Sequence, residues 1–285
     1  MALDFSIVGS ATEPHPVTWT SDQALLYAVG VGAGTDESID ELAFTTENTR
    51  SVPQSVLPTF PVVLGYGAPR LSYGDIDLTR MVHAFQSVEI TGPLAPEGSG
   101  FYSSTVTGIH DKGSGALITT ESLLTGPDGS PLARMSGGAF LRGEGGFGGD
   151  RGPSTTWAAP DREPDVVVEQ RTVPWQALLY RLSGDRNPLH SDPAFAVAGG
   201  FPRPILHGLC TYGFVGRAIL HAAAGSDPAR FRSMSARFSA PVLPGDTLST
   251  ALWLEDGEVL FATRTQDGTS VLSQGRAVVE PEGAR

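Results

Sequence analysis

The run Tyr180-Arg-Leu-Ser-Gly-Asp-Arg-Asn-Pro-Leu-His190 places a carboxyl group, Asp185, and an imidazole, His190, five residues apart. Gly184 and the Asn187-Pro188 step oppose a continuous helix through this run, so both groups belong to a loop. A carboxyl group and an imidazole held together can bind a water and move its proton, which is general acid–base chemistry. The same two residue types also make salt-bridged core pairs and Asx turns. The downstream chain favours the chemical role. Ser191-Asp192-Pro193 has the form of a helix start, with Asp192 as N-cap and Pro193 at the first helical position, and Gly199-Gly200 closes that short helix. Residues Ile205 to Ala224 then run apolar nearly all round, the pattern of a helix buried inside a fold. Gly208 stands near the start of that helix, where a backbone N–H is free and lies at the positive end of the dipole. Such an N–H can stabilise a developing oxyanion, and a glycine there also permits close helix–sheet packing.

Three ordered blocks carry a family resemblance: Tyr180 to His190 with Ala196 beyond it, Pro204-Ile-Leu-His-Gly-Leu-Cys-Thr-Tyr-Gly213, and Ala236-Arg-Phe-Ser-Ala-Pro-Val-Leu-Pro-Gly-Asp246. They resemble the MaoC-like, or type 2 (R)-specific, enoyl-CoA hydratases in their two-domain form. The resemblance implies an α+β double hot dog, two repeats of an antiparallel sheet wrapped around a central helix. It implies reversible hydration of a trans-2-enoyl-CoA to a (3R)-3-hydroxyacyl-CoA, with Asp185 and His190 as the catalytic pair and Gly208 as oxyanion donor. It also places His83, Ala84, Lys112, Arg186, Asn187, Pro188, Leu189 and Phe238 at the substrate. Ala84 departs from the His-Gly of the eukaryotic members. Locally, Asn187 is a loop brace, Phe238 a core strand residue and Lys112 a solvated turn lysine. No cofactor and no metal are expected, since one carboxylate and one imidazole are too few ligands and no His-Glu-x-x-His or cysteine cluster completes them. A homodimer is implied by the resemblance alone.

The elements that must position these groups fall into two sets. The 285 residues suffice for two modest domains, here 1–150 and 151–285. In the first, a helix is expected within Trp19 to Gly34, then a proline-rich extended segment from Thr35 to Asp77, then strands at Val82 to Ile90, Gly100 to His110, Ala116 to Leu124 and Leu132 to Leu141. In the second, the long helix precedes strands at Met234 to Leu243, Thr247 to Leu254, Val259 to Thr265 and Ser270 to Val279. Helix followed by four strands, twice, is an internal repeat. Between them, Gly143 to Ser154 has linker composition, and its Gly143-x-Gly-x-x-Gly148 match to a nucleotide fingerprint lacks a following helix. The first half has no Asp-x-Asn-Pro-x-His loop, so it is expected to shape the acyl site rather than catalyse.

A net charge of −12 argues against nucleic-acid or anionic-membrane partners but leaves room for an anionic small molecule held by a few local cations; the resemblance implies that this is acyl-CoA. The single cysteine, Cys210, and the absence of a leader, a spanning run or a Ser-Lys-Leu ending fit a cytoplasmic protein. Two other functions compete: a hot-dog acyl-CoA thioesterase, and a non-catalytic acyl-binding subunit of a heteromeric hydratase.

Overall fold

The computed structural model describes all residues except 1, 37–39, 153, 155–156, 282 and 284–285. The strands of the first half are β1 (Ala2–Leu3), β2 (His15–Trp19), β3 (Gly74–Asp75), β4 (Met81–Ile90), β5 (Gly98–Asp111), β6 (Gly115–Thr125) and β7 (Pro131–Arg142). Those of the second are β8 (Val166–Arg171), β9 (Phe231–Phe238), β10 (Thr247–Glu255), β11 (Glu258–Thr265) and β12 (Ser270–Val279). The α-helices are α1 (Ser21–Gly30), α2 (Leu42–Thr45), α3 (Pro61–Leu64), α4 (Gln176–Tyr180), α5 (Pro193–Ala198) and α6 (Gly208–Ala223).

Strands β1 and β3 pair separately; the other ten form one antiparallel sheet in the order β2-β5-β6-β7-β4-β9-β12-β11-β10-β8. Read outward from the central β4–β9 pair, the two sides run last strand, third, second and then an edge strand from the start of each half. The halves therefore share one topology and meet at the first strand after each helical region. This is a double hot dog, with one correction to the expected repeat. Each half begins with an extra short strand, β2 or β8, that the helix-plus-four-strands pattern omitted; Trp19 belongs to β2, and α1 starts at Ser21 behind a Thr20–Gln23 capping box.

Helix α6 is the core of the second half. Every residue from Leu209 to Leu220 is buried, and Tyr212, Phe214 and Ile219 join Tyr27, Phe60, Phe231 and Phe261 in one apolar cluster drawn from both halves. A Cβ on Gly213 would lie 2.5 Å from Val31 Cγ1, and one on Gly216 would lie 2.6 Å from Thr59 Cγ2. The glycines that weaken α6 intrinsically thus let the first half press against it. The helix begins at Gly208 rather than Ile205, because Leu206 N–H is tied to the Val242 carbonyl at 2.7 Å and keeps that segment extended. Likewise β9 stops at Phe238 rather than Leu243, where Pro241 and Pro244 cannot continue a ladder.

The far end of α6 is fixed by a buried ion cluster. Arg217 donates to Glu41 through Nε at 2.8 Å and Nη2 at 2.7 Å, His221 Nε2 lies 2.9 Å from the same carboxylate, and Gly34 N–H donates to it at 2.7 Å. The glycine-rich segment after β7 also has a defined role: Gly146 and Gly148 N–H, with Gly113 N–H, close on the Asp111 carboxylate at 2.7–2.8 Å. Its amides cradle a side chain of the protein itself, as such concave backbone turns do for anions.

Candidate active site

The loop from Arg181 to Ser191 is held in place before any substrate is considered. Gly184 adopts φ 126°, and a Cβ there would lie 2.9 Å from Tyr66 Cβ, so both its backbone region and its space require glycine. Asn187 Oδ1 accepts Leu189 N–H at 3.0 Å, which is the bracing role expected locally, and Asp185 Oδ1 accepts Asn187 N–H at 3.1 Å. Asp192 caps α5 by accepting Ala194 and Phe195 N–H.

Asp185, His190 and His207 converge, with a donor atom of each within 4.8 Å of the others. Tyr66, from the first half, donates its hydroxyl to Asp185 Oδ2 at 3.1 Å. His190 Nδ1 lies 2.9 Å from the Ile205 carbonyl oxygen, which can only accept, so Nδ1 carries the proton. Burial is the main cause lowering the His190 pKa below its ordinary value, outweighing the Ile205 bond and the Asp185 charge. The ring is therefore neutral at pH 7 with Nε2 left as an acceptor. His207 stacks on His190 at 3.7 Å, and its Nε2 lies 3.2 Å from the Asp185 main-chain oxygen. Burial, then the nearby His190, pushes His207 down to about 3. Its Nδ1 is buried without a partner among the described residues.

Asp185, His190 and Tyr66 face a cavity of about 500 Å³ lined from both halves, with His207 behind His190. Gly208, at the first position of α6, opens onto it; His207 provides no side-chain cap, and no hydrogen bond to Gly208 N–H occurs among the described residues. A Cβ at Gly208 would come within 3.1 Å of the Phe238 ring. The His83 ring packs against Phe238, tilted by 39° with centroids 4.7 Å apart, and burial brings its pKa down to about 4.

Of the residues marked in the sequence, Asp185, His190, Gly208, His83, Asn187, Leu189 and Phe238 line the cavity. Ala84 sits at an irregularity in the β4–β7 pairing, between His83 and Phe85; Arg186 and Pro188 are exposed; Lys112 occupies the β5–β6 turn. None of these four is among the lining residues. Two site residues went unmarked. His207 immediately precedes Gly208 in the second quoted block, and its position at a helix start was a usable signal. Tyr66 meets Asp185 across 119 residues, a pairing that no local pattern encodes.

The fold and site define a double hot-dog protein with an acid–imidazole pair facing a free helix N-terminus. Residues 155–275 match the MaoC like domain, and residues 17–143 match the MFE-2 hydratase 2 N-terminal domain. The chain is 44% identical over 284 residues to enoyl-CoA hydratase ChsH3 of Mycobacterium tuberculosis, covering 96% of this chain and 98% of the relative. It is 37% identical over 278 residues to the peroxisomal enoyl-CoA hydratase 2 of Arabidopsis thaliana, covering 90% and 89%. The crystal structure of a MaoC-like dehydratase from Phytophthora capsici superposes with a TM-score of 0.88 at 34% identity, covering both chains completely. The chain belongs to the MaoC-like, type 2 enoyl-CoA hydratase family.

Proposed function

We propose that the protein is an (R)-specific 2-enoyl-CoA hydratase, a hydro-lyase adding water reversibly to a trans-2-enoyl-CoA to give the (3R)-3-hydroxyacyl-CoA. Near-full-length similarity to proteins named enoyl-CoA hydratase and 3-hydroxyacyl-thioester dehydratase supports it. The observation that carries the mechanism is the convergence of two acceptors, the Asp185 carboxylate and His190 Nε2, beside the N-terminus of α6. A water between two acceptors donates one O–H to each and turns its lone pair toward the substrate. Its oxygen adds to Cβ, and the released proton passes through the pair to Cα, so the net change is OH on Cβ and H on Cα. Charge growing on the thioester oxygen is met by Gly208 N–H; a donor of this kind is worth about 2.7–4 kcal/mol. Tyr66 and Asn187 N–H fix the Asp185 carboxylate, and the His207 stack fixes the His190 plane.

Nothing is oxidised or reduced in this addition, and no cofactor is part of the proposal; undiminished activity in a chelator tests that. Residues 1–150 act as a non-catalytic half that shapes the acyl site, and 151–285 carry the catalytic loop. His83, Asn187, Leu189 and Phe238 touch substrate. A homodimer and a cytoplasmic location complete the reading. The exposed apolar run Trp175, Leu178 and Leu182 supports association, and sedimentation and cell fractionation test the two points. Among the described residues no helix is long and apolar enough to cross a membrane. The direct test of function is loss of enoyl-thioester absorbance with exclusive formation of the 3R alcohol. Release of free CoA without hydration would replace the hydratase by a thioesterase.

A further inference from the structure

The inner face of a hot-dog sheet ordinarily covers its helix with apolar side chains, because that face is the core side of an antiparallel sheet. Over β5 and β6 this chain places hydroxyls there instead. Tyr102 and Ser104 on β5, and Thr120 and Ser122 on β6, all line the cavity. Within this group Ser122 donates its hydroxyl to Ser104 at 3.1 Å. Tyr73 joins them from the segment that crosses above, and Arg70 stands at the exposed edge of the same lobe with its guanidinium 5.6 Å from the Tyr66 ring centroid. Arg70 has no carboxylate within salt-bridge distance among the described residues, and its charge acts on the hydroxyls of Tyr66, Tyr73 and Tyr102.

The hydroxyl lobe is offset from the Gly208 N-terminus along the strands of the first half. Gly208 packs beside Phe238, Phe238 against His83, and His83 pairs through Ala139 with Ile118 of β6. Arg142, also on the cavity wall, pairs with Gly115 at the β5–β6 turn end; Ser122 lies four residues beyond Ile118 in the opposite direction. At about 3.3 Å per residue the hydroxyl lobe is some 13 Å from the level of the oxyanion donor. The cavity thus has a cationic turn end at Arg142, and a second, hydroxyl-lined end carrying Arg70.

We propose that this second end receives the far terminus of the acyl chain and selects one that bears a carboxylate, held by Arg70 and the hydroxyls of Tyr73, Tyr102 and Ser122. The preferred substrate class is then an ω-carboxylated trans-2-enoyl thioester, hydrated by the same Asp185–His190 chemistry. This rests on the hydratase function. An arginine and a carboxylate form a charge-assisted, bidentate pair, an interaction that a terminal methyl cannot make.

The test compares kcat/KM for matched trans-2-enoyl-CoAs ending in a methyl or a carboxylate, across a series of chain lengths, in the wild type, Arg70→Met and Arg70→Lys. The wild type is expected to favour the carboxylate member by about tenfold or more at the length that reaches the lobe. Arg70→Met should collapse that ratio and Arg70→Lys should recover part of it. A wild type that hydrates both series but prefers the methyl ending at every length overturns the proposal and leaves the hydratase intact. A ratio unchanged in Arg70→Met, with both members weakened together, also overturns it and makes Arg70 a contact of the CoA phosphates. No hydration of either series removes the hydratase function and the proposal with it.

Discussion

Replacing Glu41 by glutamine tests how α6 is anchored. The change keeps the shape of the side chain but removes the charge that faces Arg217 and His221 at 2.7–2.9 Å. Arg217 and Glu41 side chains are only 2% and 1% exposed, so water cannot take over the lost interaction. Breaking one partner of a buried pair leaves an uncompensated charge and costs about 3–5 kcal/mol. For a chain of this size, about 2–4 °C per kcal/mol converts this to a fall in Tm on the order of 6–20 °C. Burial alone would raise the Glu41 pKa, but hydrogen bonds from His221 and Arg217, with the Arg217 charge, bring it down to about 2 against an ordinary 4.5. A depressed carboxyl stabilises fully above its unfolded value, and that contribution is lost as pH falls toward its folded one. The difference between wild type and Glu41→Gln is therefore largest at pH 7 and shrinks between about 4.5 and 2. Thermal unfolding followed by circular dichroism at several pH values measures it. Pairing Glu41→Leu with Arg217→Met should regain most of the loss, since apolar residues of similar volume can replace a buried pair. A Glu41→Gln protein melting within a degree of wild type at pH 7 would refute the reasoning.

Three further changes probe the site. Tyr66→Phe removes one donor to the Asp185 carboxylate, and hydrogen bonds to charged groups are worth about 1.5–3 kcal/mol, so kcat/KM should fall about 10–100-fold with the fold intact. His207→Phe keeps a ring against His190 but loses the contact to the Asp185 main chain. Because His207 is held near 3, the unfolded chain binds a proton there that the native state does not, so wild-type stability falls as pH drops below about 6.5; the variant should show a flatter slope in the same range. Gly208→Ala retains the backbone N–H but sets a Cβ 3.1 Å from the Phe238 ring, and the displacement should lower kcat about 10–100-fold with little change in Tm.

The Asp185–His190 loop was legible because its parts are local. Asp185, Asn187 and His190 lie within one turn-rich run, and a proline after a capping Asp192 announces α5 whatever it packs against. The strands of both meanders were legible for the same reason, since hairpin turns and alternation are short-range. Contacts made by folding were not. Tyr66 reaches Asp185, Glu41 reaches Arg217 and the glycines after β7 reach Asp111 only once the two halves and their loops are assembled. The short edge strands β2 and β8 were lost because their pairing partners, β5 and β10, are remote in sequence. Lys112 sits in the expected turn, and the cations on the cavity wall are Arg70 and Arg142.

The most direct measurement is hydration of a trans-2-enoyl-CoA by wild type and by Asp185→Asn, a nearly isosteric change that leaves Tyr66 and Asn187 able to bond the side chain. The wild type should form only the 3R alcohol, and Asp185→Asn, with unchanged melting and thioester binding, should lose on the order of 10²–10⁴ in kcat. A folded Asp185→Asn protein hydrating at the wild-type rate would contradict the assignment of the reaction to this pair.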